Sequence, residues 1–203
     1  MASYLNEQWR AADHPSHSPV FLGLDPQLTK NLQHIQILAC GTSWHAGLVG
    51  KYLLEQLAGI PTTVHYASEF RYAAPPLTPH TLTIGVTQSG ETADTLAALE
   101  MEKQRRLTLE DDYKPLILGI TNRPESTLAT KVNEIINTHA GIEIGVAATK
   151  TFVAQVLAFY FLALDIAFQR HSLSLEAIEH IMVGLRQLPA QIEAILEQQG
   201  SAI

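Results

Sequence analysis

One cysteine, Cys40, stands in a chain of 203 residues. An internal disulfide is therefore impossible, and a disulfide-stapled secreted scaffold is excluded. Basic residues are scarce as well: 13 Lys and Arg face 20 Asp and Glu, for a net charge of −7. A chain so acidic lacks the positive field that holds phosphate backbones or anionic membranes without regard to sequence, so neither nucleic acid nor a membrane is an expected partner. The nine histidines are scattered, with no C-x-x-C pair and no H-E-x-x-H, and no metal site or other cofactor is expected. No basic patch followed by an apolar stretch opens the chain, so no signal peptide is expected. The longest apolar run, residues 152–168, is broken by Gln155 and Asp165. It falls short of the about 20 clean apolar residues of a membrane span and reads as a buried core helix. A reducing cytoplasm is the expected compartment.

What is present is the material of one globular domain. Apolar residues make up 46% and charged residues 16%, enough to bury a core, and the length suits one domain of about 150 residues with some extra chain. Residues 1–19 are polar and carry Asp13-His14-Pro15-Ser16-His17-Ser18-Pro19, whose prolines and turn formers interrupt any regular period. Residues 1–22 read as a linker or a leftover of cloning, and residues 23–203 as the domain. Asp25-Pro26 supplies an N-cap and first-turn proline for a short helix through Leu32.

From there short apolar runs alternate with helical periods. Strands are expected at 35–39, 62–66, 82–86, 116–120 and 134–138. Helices are expected at 44–57, 92–106, 126–130 and 146–169, with two more at 174–188 and 189–199, split at Pro189. Short, wholly apolar strands separated by helices indicate a parallel sheet covered on both faces. The expected fold is α/β: a three-layer αβα sandwich around a five-stranded parallel sheet of flavodoxin-like order 2-1-3-4-5.

In such a sheet ligands bind beyond the C-terminal strand ends, where the strand order reverses. Two loops fall there. Cys40-Gly41-Thr42-Ser43 leaves the first strand, and Thr87-Gln88-Ser89-Gly90-Glu91-Thr92 leaves the third. Both carry hydroxyls and glycine and open a helix, so they offer backbone amides and the positive end of a helix dipole to an anion. Neither contains the lysine of G-x-x-x-x-G-K-[ST] nor matches G-x-G-x-x-G. A phosphate monoester held by neutral donors is the expected guest, although Ser, Thr and Gly are also common in ordinary strand-to-helix turns. A third segment, residues 141–150, offers Glu143 and Lys150, but an acid near a helix start complements the dipole and a lysine is usually solvated. Ser68 to Tyr72, mixing charges and aromatics after the second strand, suits an interface or a solvated turn.

Five ordered stretches carry a family resemblance: Ala39 to Ser43, Leu57 to Pro61, Ala67 to Tyr72, Gln88 to Thr95, and Glu143 to Lys150. On these the chain resembles the first sugar-isomerase (SIS) subdomain of the glutamine:fructose-6-phosphate transaminases, enzymes that make glucosamine 6-phosphate from fructose 6-phosphate and glutamine. The resemblance implies that Ser43, Thr87, Gln88, Ser89 and Thr92 hold a sugar phosphate. It also implies that Thr42 and the backbone around Cys40, Gly41, Val146 and Ala148 lie near the sugar. Thr87 stands where many relatives have Ser and keeps the hydroxyl; Ala148 stands where Ser is also common and loses it. The family's ring-opening histidine, proton-moving glutamate and lysines come from a second subdomain, its tail or a partner subunit. No catalytic residue is therefore expected here, and the chain reads as a trimmed piece that binds without turnover, with a second copy and a second subdomain as partners. Two other readings remain: a self-contained phosphosugar isomerase sharing Glu91, Glu143 or His45 between subunits, and a non-enzymatic sugar-phosphate sensor.

Overall fold

β-branched and leucine-rich segments form the centre of the computed structural model, which describes residues 19–20, 22–29, 31–145 and 147–200. The strands are β1 (His34–Ala39), β2 (Thr62–Tyr66), β3 (Thr81–Val86), β4 (Leu116–Thr121) and β5 (Glu134–Asn137). They pair in parallel in the order β2-β1-β3-β4-β5, the order expected from the sequence. The helices are α1 (Gly41–Ala58), α2 (Ala67–Phe70), α3 (Ala93–Arg106), α4 (Lys150–Arg170) and α5 (Leu175–Gly200).

Alternation along β1 builds the layers. Ile35, Ile37 and Ala39 join one core cluster with Leu54 of α1 and Phe159 of α4, while Leu38 joins another with Phe70 of α2 and Leu99 of α3. Successive side chains point to opposite faces, so the sheet is covered on both sides. A third cluster seats Met182 and Leu185 of α5 on Phe161 of α4. α4 is long and apolar enough to cross a membrane by length and composition, yet Ala154, Leu157, Ala158 and the unbroken stretch from Phe161 to Ala167 are buried in the protein. It is a core helix.

Beneath the α3 face runs a buried polar network that ties the strands bearing both loops to the helix behind them. Gln36 of β1 donates to Thr83 of β3 at 2.8 Å and to Glu102 of α3 at 2.7 Å. Arg106 donates to the same Glu102 oxygen at 2.7 Å and to the Thr78 carbonyl at 3.0 Å. Glu102 and Arg106 are 1% and 2% exposed, so each charge meets its opposite instead of standing alone in an apolar medium.

Several expectations need correction. Val20 is buried against Phe161 and Ile178, and Leu22 packs on the same cluster, so the folded unit reaches back into the stretch assigned to the linker; residues 1–18 of that stretch lie outside the described residues. The short helix after Asp25 is one 3-10 turn, Pro26–Leu28. α5 runs through Pro189 as one helix: a proline's fixed φ is itself helical, so the ring removes one backbone hydrogen bond and crowds the preceding turn without ending the element. α4 begins at Lys150 and not at Val146, for a reason found at its N-terminus below. Phe70, inside the segment expected as an interface or turn, is 2% exposed and anchors α2 in the core.

Candidate functional site

The register pairs Ala39 with Val86, so the next residues, Cys40 and Thr87, leave adjacent parallel strands side by side. Both expected loops therefore open at the switch point between β1 and β3, where β2 lies to one side and β4 to the other.

In the first loop Cys40 is the N-cap of α1 with extended backbone and no side-chain cap bond, and Gly41 follows at φ 57°. Thr42 is half-buried, and Ser43 is buried. The Ser43 hydroxyl oxygen accepts a hydrogen bond from Gln155 Nε2 of α4 at 3.0 Å. His45 is exposed, and its Nδ1 donates to the Gly41 carbonyl at 3.1 Å.

The second loop is braced from behind by the chain after β4. The Gln88 carbonyl accepts from the Asn122 amide at 3.1 Å, and the Gly90 carbonyl from the Leu128 amide at 3.1 Å. The Thr87 amide is tied to β4 itself, donating to the Ile120 carbonyl at 3.1 Å. Thr87 and Thr92 share a hydroxyl–hydroxyl bond of 2.6 Å, and the Ser89 oxygen accepts from the Glu91 amide at 3.1 Å. Gly90 has φ 70°, and a Cβ built there would lie 1.8 Å from Ser126 Oγ. Only glycine satisfies both the backbone conformation and the space. Thr92, the N-cap of α3, makes no side-chain cap bond. Hydroxyls and helix amides so arranged suit an oxyanion without needing a lysine.

The third segment is organised differently. Glu143 Oε1 accepts from the amides of Thr149 at 3.0 Å and Lys150 at 3.2 Å and from the Thr149 hydroxyl at 3.1 Å. Glu143 Oε2 accepts from the Thr151 amide at 3.2 Å and from the Thr151 hydroxyl. The Thr151 hydroxyl first, and the amides of Thr149 and Thr151 with it, hold the Glu143 carboxyl down to about 2. This clasp fixes where α4 can start and so accounts for the later helix start. Glu91 is similarly engaged: it accepts from the Thr127 amide at 2.8 Å, which holds its carboxyl below the usual range. Neither carboxylate is placed as a free base.

Ala148 is half-buried in this segment, and Val146 lies outside the described residues. Sequence reasoning passed over Asn122, which donates to the Gly141 carbonyl at 2.7 Å and accepts from the Ala140 amide at 2.8 Å, pinning the segment to the end of β4. A cavity of about 320 Å³ beside it is lined by Asn122, Arg123, Asn137 and His139, and one of about 770 Å³ lies between α4 and α5 at Val153, Leu157, Ile192 and Leu196. Neither includes a residue of the first two loops. Among the described residues no three His, Cys, Asp or Glu side chains gather to hold a metal.

Fold and loops together define a flavodoxin-like α/β domain whose two hydroxyl-bearing loops leave β1 and β3 side by side. The chain belongs to the SIS domain family, which matches residues 28–165. It is 98% identical over its whole length to a glutamine–fructose-6-phosphate aminotransferase (isomerizing) of Synechocystis sp. and 66% identical over 98% of its length to that of Thermosynechococcus vestitus. The chain spans about a third of the length of these curated relatives, 32% in each. Among solved structures it resembles the C-terminal domain of glucosamine-fructose-6-phosphate aminotransferase from Francisella tularensis, with TM-score 0.85 and 32% identity, covering 98% of this chain and 53% of that one.

Proposed function

We propose that the chain is the fructose 6-phosphate-binding half of an isomerase module, within a larger aminotransferase that makes glucosamine 6-phosphate from fructose 6-phosphate and glutamine. The observation that carries this reading is the pairing of Ala39 with Val86, which sets two loops of hydroxyls and amides side by side ahead of two helix N-termini without side-chain caps. The likeness to the Synechocystis aminotransferase supports the choice of sugar phosphate. In this reading Ser43, Gln88, Ser89 and Thr92 hold the phosphate. Thr87, 2% exposed, orients the Thr92 hydroxyl. The backbone at Cys40, Gly41 and Val146, with Thr42 and Ala148, borders the sugar.

The larger enzyme opens the sugar ring, adds ammonia at the carbonyl and moves a proton between C1 and C2 by a general base. None of these steps falls to a residue of this chain. The engagement of Glu91 and Glu143 with backbone amides counts against a self-contained isomerase built on them. A second SIS subdomain and a second copy are the proposed partners, in the cytoplasm. Ile142 and Ile144 are 73% and 96% exposed, and such apolar surface favours a covering partner.

Titration calorimetry tests the reading. Fructose 6-phosphate and inorganic phosphate should both bind and unphosphorylated fructose should not, with Ser89→Ala weakening the phosphate-bearing ligands about tenfold. Equal responses to fructose and fructose 6-phosphate would remove the phosphate site.

A further inference from the structure

Gln155 is an anomaly in α4. Every buried neighbour on its helix from Ala154 to Ala163 is apolar, and Gln155 itself is 2% exposed. Its Oε1 is buried without a hydrogen-bond partner, while its Nε2 is spent on Ser43 Oγ at 3.0 Å. A buried amide left half satisfied works against folding, and a methionine or leucine of like volume would fill the site at less cost. The side chain is therefore better explained by what it does to Ser43 than by what it does for the core.

A serine oxygen has two lone pairs and one proton. When Nε2 donates into Ser43 Oγ, one lone pair is used and the hydroxyl proton remains free to be given away. Ser43 is itself 6% exposed, in the first turn of α1. We infer that Gln155 is a positioning residue: it holds the Ser43 hydroxyl as a hydrogen-bond donor toward the anion in the crevice. The opposite amide orientation would make Oε1 the acceptor of that same proton and turn Ser43 away from a ligand, so the direction of this one bond decides whether the first loop contributes a donor.

The inference rests on the phosphate-site reading above, and its test separates the two. Calorimetry with fructose 6-phosphate is run on the whole chain, Ser89→Ala, Gln155→Met, Ser43→Ala and the Ser43→Ala/Gln155→Met pair, with thermal melting of each. Gln155→Met should weaken binding about threefold to tenfold while melting at or above the temperature of the parent chain. On Ser43→Ala the same substitution should cost nothing further, since its effect runs through the missing hydroxyl. Unchanged affinity in Gln155→Met, a melting temperature that falls in step with affinity, or a loss that persists on Ser43→Ala would overturn the inference. Loss of binding in Ser89→Ala alongside intact binding in Gln155→Met would leave the phosphate site standing and remove only the role of Gln155. No binding of fructose 6-phosphate by the parent chain would remove both.

Discussion

Helices α3 and α4 both begin at the C-terminal edge of the sheet, and the chain treats their N-termini in opposite ways. α3 opens from Thr92 with no side-chain cap, its loop carbonyls drawn back toward β4. α4 opens under a carboxylate, Glu143, that takes two hydroxyls and three amides. Each helix end carries about half a positive charge, so each attracts an anion. At α4 a carboxylate of the protein takes the amides; at α3 the first-turn Asp94 is paired with Arg71 instead, and in the proposed function the phosphate takes that place. In the proposed function this contrast reconciles an anion site with a net charge of −7: the field that matters is that of the few amides at one helix end, and distant acids are screened within about 10 Å.

The largest effect should come from breaking the open end. Gly90→Ala places a Cβ 1.8 Å from Ser126 Oγ at a φ of 70°. Either Ser126 moves, releasing the turn that carries the Thr127 and Leu128 amides, or the loop distorts. Overpacking and left-handed strain together should cost about 2–4 kcal/mol in urea denaturation, with fructose 6-phosphate binding lost. Native stability and native affinity in Gly90→Ala would show that the bracing behind the loop is dispensable.

A sharper test makes α3 resemble α4. Ser89→Asp introduces a carboxylate into the second loop, where it should do for α3 what Glu143 does for α4. Calorimetry should show affinity for fructose 6-phosphate falling about a hundredfold, since a fixed negative charge now competes for the same donors. Stability should hardly change. Retained affinity would mean that the anion is held elsewhere.

The converse change acts on α4. With a folded-state pKa of about 2 against an ordinary 4.5, the Glu143 carboxylate contributes stability that is present above about pH 4.5 and lost as pH falls toward 2. Glu143→Gln keeps an acceptor oxygen but has no charge to lose. Its melting temperature should lie below that of the parent chain at pH 7, and the gap should close between pH 4.5 and 2. A gap constant across that window would show that the clasp works by shape alone.

The asymmetry between the two helix ends was only partly legible in the sequence. Strand order and the two loops could be read because short apolar runs and hydroxyl-glycine turns are local signals; the order makes β1 and β3 neighbours, and the register that pairs Ala39 with Val86 came from the structure. Glu143 carried a local signal too, an acid just ahead of a helix. What lay hidden depends on contacts between residues far apart in sequence. Gln36 sits in an apolar strand and finds Glu102 only after the fold brings α3 over β1. Asn122 gains meaning only when the 138–141 segment folds back onto β4. Gln155 was visible as a break in an apolar run, but its partner Ser43 stands 112 residues away. Pro189 misled in the other direction, because a helix breaker in the sequence need not break a helix whose earlier turns are already fixed by Met182 and Leu185 in the core.

The smallest effect concerns what holds the open end from the side. Arg71 Nη1 of the turn after α2 meets Asp94 Oδ1, in the first turn of α3, at 2.7 Å, with the two side chains 40% and 42% exposed. Asp94 also complements the helix dipole without help, so removing its partner leaves a tolerated charge. A pair this exposed trades modest attraction for side-chain freedom. Arg71→Ala should therefore lower stability by no more than about 0.5 kcal/mol in urea denaturation and leave fructose 6-phosphate affinity within about twofold of the parent chain. A larger loss of affinity would mean that this bridge sets the angle at which α3 presents its N-terminus. The open end would then be built from the α2 side as well as from the β4 side.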